Sequence, residues 1–269
     1  MKNKNGISFS GIKAGIMLLL SVLFMSQISV AQVVGLDNWY NRETNAKTGK
    51  PFHYLWTDTE NSGYSQWGDL FKKRGATLTT LEQAPDTKVL ANLDIYIIVD
   101  PDTTTEAKNP NYIQPADIKA IKSWVEKGGV LMILANDAPN CEFTHLNMLV
   151  KEFGMYFNHV SKHPVLLRQW DMGAFTAFPE HPIWKGVSKV YMKEISSFNL
   201  KNPAKSILSE KGEIFMAEAK IGKGTVIALG DPWIYNEYID HTYLPADFQN
   251  LKAAENLTDY LIKNSRKSK

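Results

Sequence analysis

The sequence predicts an α/β fold: a parallel sheet with helices on both faces, followed by a strand-rich C-terminal part. Three observations carry this. Two runs without polar interruption, Ile95-Tyr96-Ile97-Ile98-Val99 and Val130 to Leu134, read as strands buried on both faces. Amphipathic segments of helical period, 64–74, 115–127 and 143–153, alternate with the strand-like runs. From Lys189 onward the pattern turns to strand-like stretches closed by one last helix.

Taken in order, Val33-Val34-Gly35-Leu36 is a first strand, and 64–74 a helix stopped by Gly75. The strand 95–99 leads to a helix over 115–127, with Pro115 at its start, Ile118, Ile121, Trp124 and Val125 on one face, and Gly128-Gly129 closing it. The strand 130–134 precedes a helix over 143–153. Segments 189–200 and 204–208 then read as strands, and 213–229 as a hairpin around Ile221-Gly222-Lys223-Gly224. A helix over 247–264 ends the domain, leaving a basic tail, 265–269.

Residues 1–31 have the pattern of a cleavable export signal. Lys2, Lys4 and Lys13 precede and flank an apolar run from Ala14 to Met25, and Ser29-Val30-Ala31 offers a small-residue cleavage site before Gln32. The expectation is a periplasmic or secreted protein, not held in the membrane. No cysteine lies in this segment to take a lipid anchor. Its removal takes three lysines and no acid, so the net charge goes from +2 to 2 − 3 = −1. That balance argues against nucleic acid as a partner. The single cysteine, Cys141, excludes an internal disulfide and any Cys-x-x-Cys metal motif. Residues 32–264 therefore read as one domain stabilised by its core.

In an open α/β sheet, ligands sit beyond the carboxyl ends of the strands. Four such tips are polar: Asp37-Asn38-Trp39-Tyr40-Asn41-Arg42, Asp100-Pro101-Asp102, Asn136-Asp137 and Gly230-Asp231-Pro232-Trp233. Asp, Asn and Pro also end strands and cap helices for purely local reasons. Four tips together favour a shared pocket. Between the first strand and the first helix, FHYLWTDTENSGYSQWG, 52–68, concentrates aromatic and hydrogen-bonding residues without an apolar period and reads as a ligand-facing loop.

The segments FHYLWTDTENSGYSQWGDLF, LDIYIIVDPDT, WVEKGGVLMILANDAPNCEFTHLN and IGKGTVIALGDPWIYNEY carry a resemblance. They are similar to a glutamine-amidotransferase-like domain of secreted proteins in polysaccharide-degrading bacteria, found alone or fused to unsaturated rhamnogalacturonyl hydrolases. The resemblance implies a flavodoxin-like, class I glutamine-amidotransferase-like fold. True amidotransferases place a nucleophilic Cys in a Gly-x-Cys-x-Gly elbow after a strand. Here 130–134 runs into Ala135-Asn136-Asp137, so Cys141 reads as a packing residue.

The resemblance extends to the ulvan oligosaccharide dehydratase, which eliminates water from a glucuronic or iduronic acid linked to rhamnose or rhamnose sulfate. The 4,5-unsaturated product is what an unsaturated-uronyl hydrolase then consumes. An anionic oligosaccharide is thus the implied partner, with no cofactor and no metal. Such chemistry needs a carboxylate clamp, a base for the C5 proton and an acid for the C4 hydroxyl. Arg42 and Arg168 are the candidate clamps, and His53, His145 and Asp137 the candidate catalytic groups. Trp56 and Trp233 are expected to stack on sugar rings, with Asp58, Asn61, Asn136, Glu142, Asp231 and Asn236 bonding hydroxyls.

Rival readings remain at this level. Glu142-x-x-His145 and His159-x-x-x-His163 could present metal ligands, though further partners would be needed. The same aromatics would serve a non-catalytic carbohydrate-binding module. Asp58, Asp137 or Glu237 could supply paired carboxylates for glycoside cleavage.

Overall fold

The computed structural model describes residues 1, 31–45, 47–239 and 241–265. The expected export signal, apart from Met1 and Ala31, and the tail from residue 266 lie outside them. Among the described residues no helix is long and apolar enough to cross a membrane.

The sheet is built around β1 (Val33–Asp37), β3 (Ile95–Val99) and β4 (Val130–Leu134), which pair in parallel in the order β1-β3-β4. Every residue of β3 and β4 is buried, as expected for strands covered on both faces. β2 (Thr77–Leu81) pairs in parallel on the free side of β1. Its sequence, TLTTL, lacks an apolar run because an edge strand is half exposed, and the sequence reading missed it for that reason. β11 (Gly224–Leu229) pairs in parallel with β4, completing the parallel order β2-β1-β3-β4-β11.

The expected hairpin is present. β10 (Glu213–Ile221) folds back antiparallel on β11 through a turn in which Gly222 has φ +58. On the far side of β10 lie β9 (Lys205–Glu210) and β8 (Phe198–Leu200), and β5 (Met155–Phe157) pairs with β8 as the outer edge. The segment 189–200 is less regular than expected. Only β7 (Val190–Tyr191), paired with β6 (Ala174–Phe175), and β8 are strands within it.

Side chains alternate across the central strands, so two cores form. Leu36, Ile97, Met132 and Leu134 face one side, where α1 (Ser65–Lys73) brings Trp67 and Phe71 and α6 (Asn250–Asn264) brings Leu257 and Leu261. Tyr96, Ile98, Leu131 and Ile133 face the other, covered by α3 (Pro115–Glu126) and α4 (Phe143–Lys151) through Ile121, Trp124, Leu146 and Val150. Each large side chain removed from water contributes about 1.5–3 kcal/mol. A short α2 (Thr87–Ala91) is capped by Asp86, whose carboxylate accepts from the Lys88 and Val89 amides. The last helix begins at Asn250 rather than 247, because Asp247 binds Lys189 and the Asn250 side chain bonds the Tyr191 backbone.

This order has a functional consequence. The chain leaves β1 for β2 on one side and returns to β3 on the other, so the strand order reverses between β1 and β3. Ligands of open α/β sheets bind in the crevice at such a reversal.

Candidate functional site

Three carboxyl groups stand at the carboxyl ends of β1 and β3. Asp37 accepts from the Trp39 and Tyr40 amides and from the Tyr96 hydroxyl at 2.7 Å. Asp100 accepts from the Tyr54 hydroxyl at 2.8 Å and the Asn136 amide at 2.9 Å, both on Oδ2. Asp102 accepts from the Arg42 amide at 2.8 Å on Oδ2. The Oδ1 atoms of Asp100 and Asp102 are buried and have no partner. Orphaned carboxyl oxygens are costly, and they concentrate where a site serves something other than stability.

Burial decides the protonation of this cluster. It pushes Asp37 up to about 6 against the bonds from Tyr96 and the turn amides. Asp102 is pushed up to about 7, burial first and the Glu43 and Glu106 carboxylates adding to it, against the bond from the Arg42 amide. Asp100 is driven well above the usual carboxylate range by burial and the charge of Glu106. Glu106, held by the Thr103 amide and hydroxyl, is itself raised, chiefly by burial. These acids therefore keep protons at pH values where exposed ones do not.

The loop 52–68 reaches this cluster through a strained turn. His53 and Tyr54 have φ of +64 and +52, and Asp100, which Tyr54 touches, has φ +39. Three non-glycine residues in this region, two of them in direct contact, cost on the order of 1–3 kcal/mol each. The turn places His53 Nδ1 3.0 Å from Glu43 Oε1. Arg42, exposed and lying over the Trp39 ring, lines a cleft of about 460 Å³ with Thr44, Asp102, Glu106 and Asn111.

The aromatic density of 52–68 has an internal cause. Asn236, in the short helix α5 (Asn236–Ile239), donates to the Asp58 and Glu60 carbonyls and the Ser65 hydroxyl and accepts from the Gln66 amide. The Tyr64 hydroxyl donates to the Pro232 carbonyl, and Tyr54, Tyr64 and Tyr235 pack together. The two most distinctive sequence motifs are thus latched onto each other.

Several expected roles change accordingly. Trp233 is fully buried and Trp56 nearly so, with the Trp56 indole nitrogen donating to the Thr79 carbonyl, so neither can stack on a sugar. Asn236 is buried in the latch, and Asp58 is occupied by the His53 and Glu60 amides. Asn61 is exposed, donating to the Tyr243 hydroxyl. Glu142 caps α4 through the Thr144 and His145 amides.

His145 stacks on Tyr112 at 4.6 Å, and its Nδ1 lies 3.2 Å from Glu142 in a geometry that makes no hydrogen bond. Its partners differ from those of His53. Asp137 accepts from Asn140, and Asp231 from the Lys193 amide; burial raises both. Arg168 is exposed on the turn closed by the Gln169 amide on the Leu166 carbonyl, with no bond to the cluster. Of the expected site residues, the Arg42 amide bonds Asp102 and the Asn136 side chain bonds Asp100, while His53 is held by Glu43, whose charge reaches both acids.

Glu43 and Glu106 are additions, and Asp102, read in sequence only as part of a polar tip, gains a distinct environment. Glu106 carried a local signal, the Thr-x-x-Glu spacing of Thr103 to Glu106, which closes a turn reciprocally. Glu43 had none beyond following Arg42. Among the described residues no three His, Cys, Asp or Glu side chains are arranged to hold a metal ion. Cys141 is buried, and burial pushes its thiol well up, as suits a packing residue.

Neither a described protein family nor a curated protein matches this sequence. Solved structures do. The chain is similar to the mmIFT52 N-terminal domain, 13% identical, over 86% of this chain and 97% of that one, with a TM-score of 0.65. It is similar to a cytoplasmic protein from Salmonella typhimurium LT2, 15% identical, over 87% and 100%, with a TM-score of 0.56. A ThuA-like protein from Bacteroides uniformis ATCC 8492, 16% identical over 88% and 93%, has a TM-score of 0.48. Likeness at such identities establishes the α/β fold and assigns no activity.

Proposed function

We propose that the protein is a hydro-lyase that removes water from a uronic acid at the non-reducing end of an anionic oligosaccharide. The observation that carries this reading is a cleft lined by the exposed Arg42 and the buried, raised Asp102, with Glu43, which holds His53, close enough for its charge to raise Asp102.

The chemistry follows from those groups. Arg42 offers two donors to the uronate carboxylate, on which charge builds as the C5 proton leaves. The neutral forms of Asp100 and Asp102 keep the cleft from repelling that anion. His53 takes the C5 proton, and Glu43 holds the ring and stabilises the imidazolium as it forms. The electron pair of the broken C5–H bond becomes the C4–C5 double bond. The C4–O bond breaks, and Asp102 gives the departing hydroxyl its proton, so that water leaves. An acid near 7 and a histidine base divide the two roles by environment.

A non-catalytic sugar-binding module is the weaker reading, since Trp56 and Trp233 are inside and form no stacking platform. The test is incubation of the protein with uronate-terminated rhamnose oligosaccharides, followed by mass spectrometry. Loss of one water without chain shortening is expected, falling roughly 10²-fold or more in His53→Ala. A shortened chain would make it a glycoside-cleaving enzyme, and an unchanged oligosaccharide would remove the activity.

A further inference from the structure

At the outer edge of the sheet, away from the switch-point cleft, lies a second cavity with a different chemistry. It has a volume of about 430 Å³ and is lined by Lys151, Gly154, Met155, Tyr156, Leu200 and Lys201, with Asn199 beside them. β5 is four strands removed from β4 in the sheet, roughly 19 Å at the usual strand spacing. Tyr156, on this edge strand, is 37% exposed.

The two lysines come from separate elements. Lys151 ends α4, and Lys201 directly follows β8. They meet because the backbones touch: the Lys201 amide donates to the Gly154 carbonyl at 2.8 Å, and a Cβ on Gly154 would lie 2.3 Å from the Lys201 carbonyl oxygen. Gly154, at φ +80, is the residue that permits this approach. The Lys151 ammonium sits 4.9 Å from the centre of the Tyr156 ring, which holds it at the cavity instead of in open solvent. Neither lysine has a carboxylate within ion-pair distance among the described residues; the nearby Glu152 is taken by Lys122. Lysines that merely protect an edge strand would stand on β5 itself, and these do not.

We infer that this cavity is a second glycan-binding site, taking a sulfate- or carboxylate-bearing sugar of the same polymer, with Lys151 and Lys201 on the anionic group and Tyr156 against the ring. The inference rests on the proposed function for the identity of the ligand. A cavity of this size has room for about two sugar rings.

Affinity electrophoresis of the full-length protein in gels containing polygalacturonate, dextran sulfate or neutral dextran tests it. Retardation by at least one charged polymer and none by neutral dextran is expected, with polygalacturonate and dextran sulfate separating carboxylate from sulfate recognition. The Lys151→Ala/Lys201→Ala variant and, separately, Tyr156→Ala should each weaken retention by about tenfold. Both changes are at the surface, so neither should disturb folding or the elimination assay.

Unchanged retention in either variant, or no retardation of the wild type by either charged polymer, overturns the inference. Loss on removing the lysines but not Tyr156 overturns it too, since that describes general charge attraction. The elimination assay is read separately: its failure with retention intact removes the proposed activity and leaves this site standing.

Discussion

Replacing Asp102 by Asn should stabilise the protein while removing its activity. Asp102 is 1% exposed, its Oδ1 has no partner, and burial raises it from 3.8 to about 7. A group whose folded value lies above its unfolded value penalises folding once the unfolded chain ionises. The penalty is absent below about 4, grows as pH rises towards 7 and is constant above. About three pH units at roughly 1.4 kcal/mol each make it about 4 kcal/mol at pH 8, and less than half of that at pH 5. Asn keeps an oxygen for the Arg42 amide and carries no charge.

For a domain of this size about 2–4 °C follows each kcal/mol, so thermal unfolding at pH 8 should rise by roughly 8–16 °C, and by less than half of that at pH 5. The same variant should lose the proton donor and with it elimination by about 10²-fold or more. The measurement is a pair of melting curves at the two pH values. An equal gain at both, or no gain at pH 8, would refute the reasoning that Asp102 is held in its raised state by burial.

Asn236→Ala breaks the latch between the two motifs and leaves buried loop carbonyls unsatisfied, so urea unfolding should show a loss of about 2–4 kcal/mol; a loss below about 0.5 kcal/mol would mean the latch is incidental. Cys141→Ser should cost about 1–2 kcal/mol for a buried hydroxyl and leave elimination unchanged, and a folded but inactive variant would restore a thiol to the chemistry. Arg42→Ala, at an exposed side chain, should leave the melting temperature alone while weakening both binding and turnover of the uronate, because the carboxylate is charged in ground and transition states alike; kinetics with unchanged KM would remove it as the clamp.

What was legible in the sequence was what each element owes to its own surroundings. Strands β3 and β4 are apolar at every position because both faces are covered, α3 and α4 carry one apolar face because only one is, and the polar residues after β1, β3, β4 and β11 sit where strands end. Those requirements are local, and the main order of helices and strands followed from them; the half-exposed β2, the short α2, β5, β6 and α5, and the irregular stretch around β7 did not. The sequence reading had Arg42 and Asn136 at strand tips and His53 in the loop 52–68, and the structure puts the first two against Asp102 and Asp100.

Only the tertiary structure decided which tips meet and which aromatics stay inside. A residue's type records that it is buried or exposed on average, and its neighbours across the fold settle which. Asn236 is 170 positions from Gln66 and Trp67 is 191 from Thr258, yet these contacts tie an aromatic loop to distant elements, and Trp233 is likewise fully buried. In the same way Asp102 looks like a turn former in sequence and becomes a candidate acid only because the β1–β3 reversal buries it beside Glu43 and Glu106 with one oxygen left unbonded.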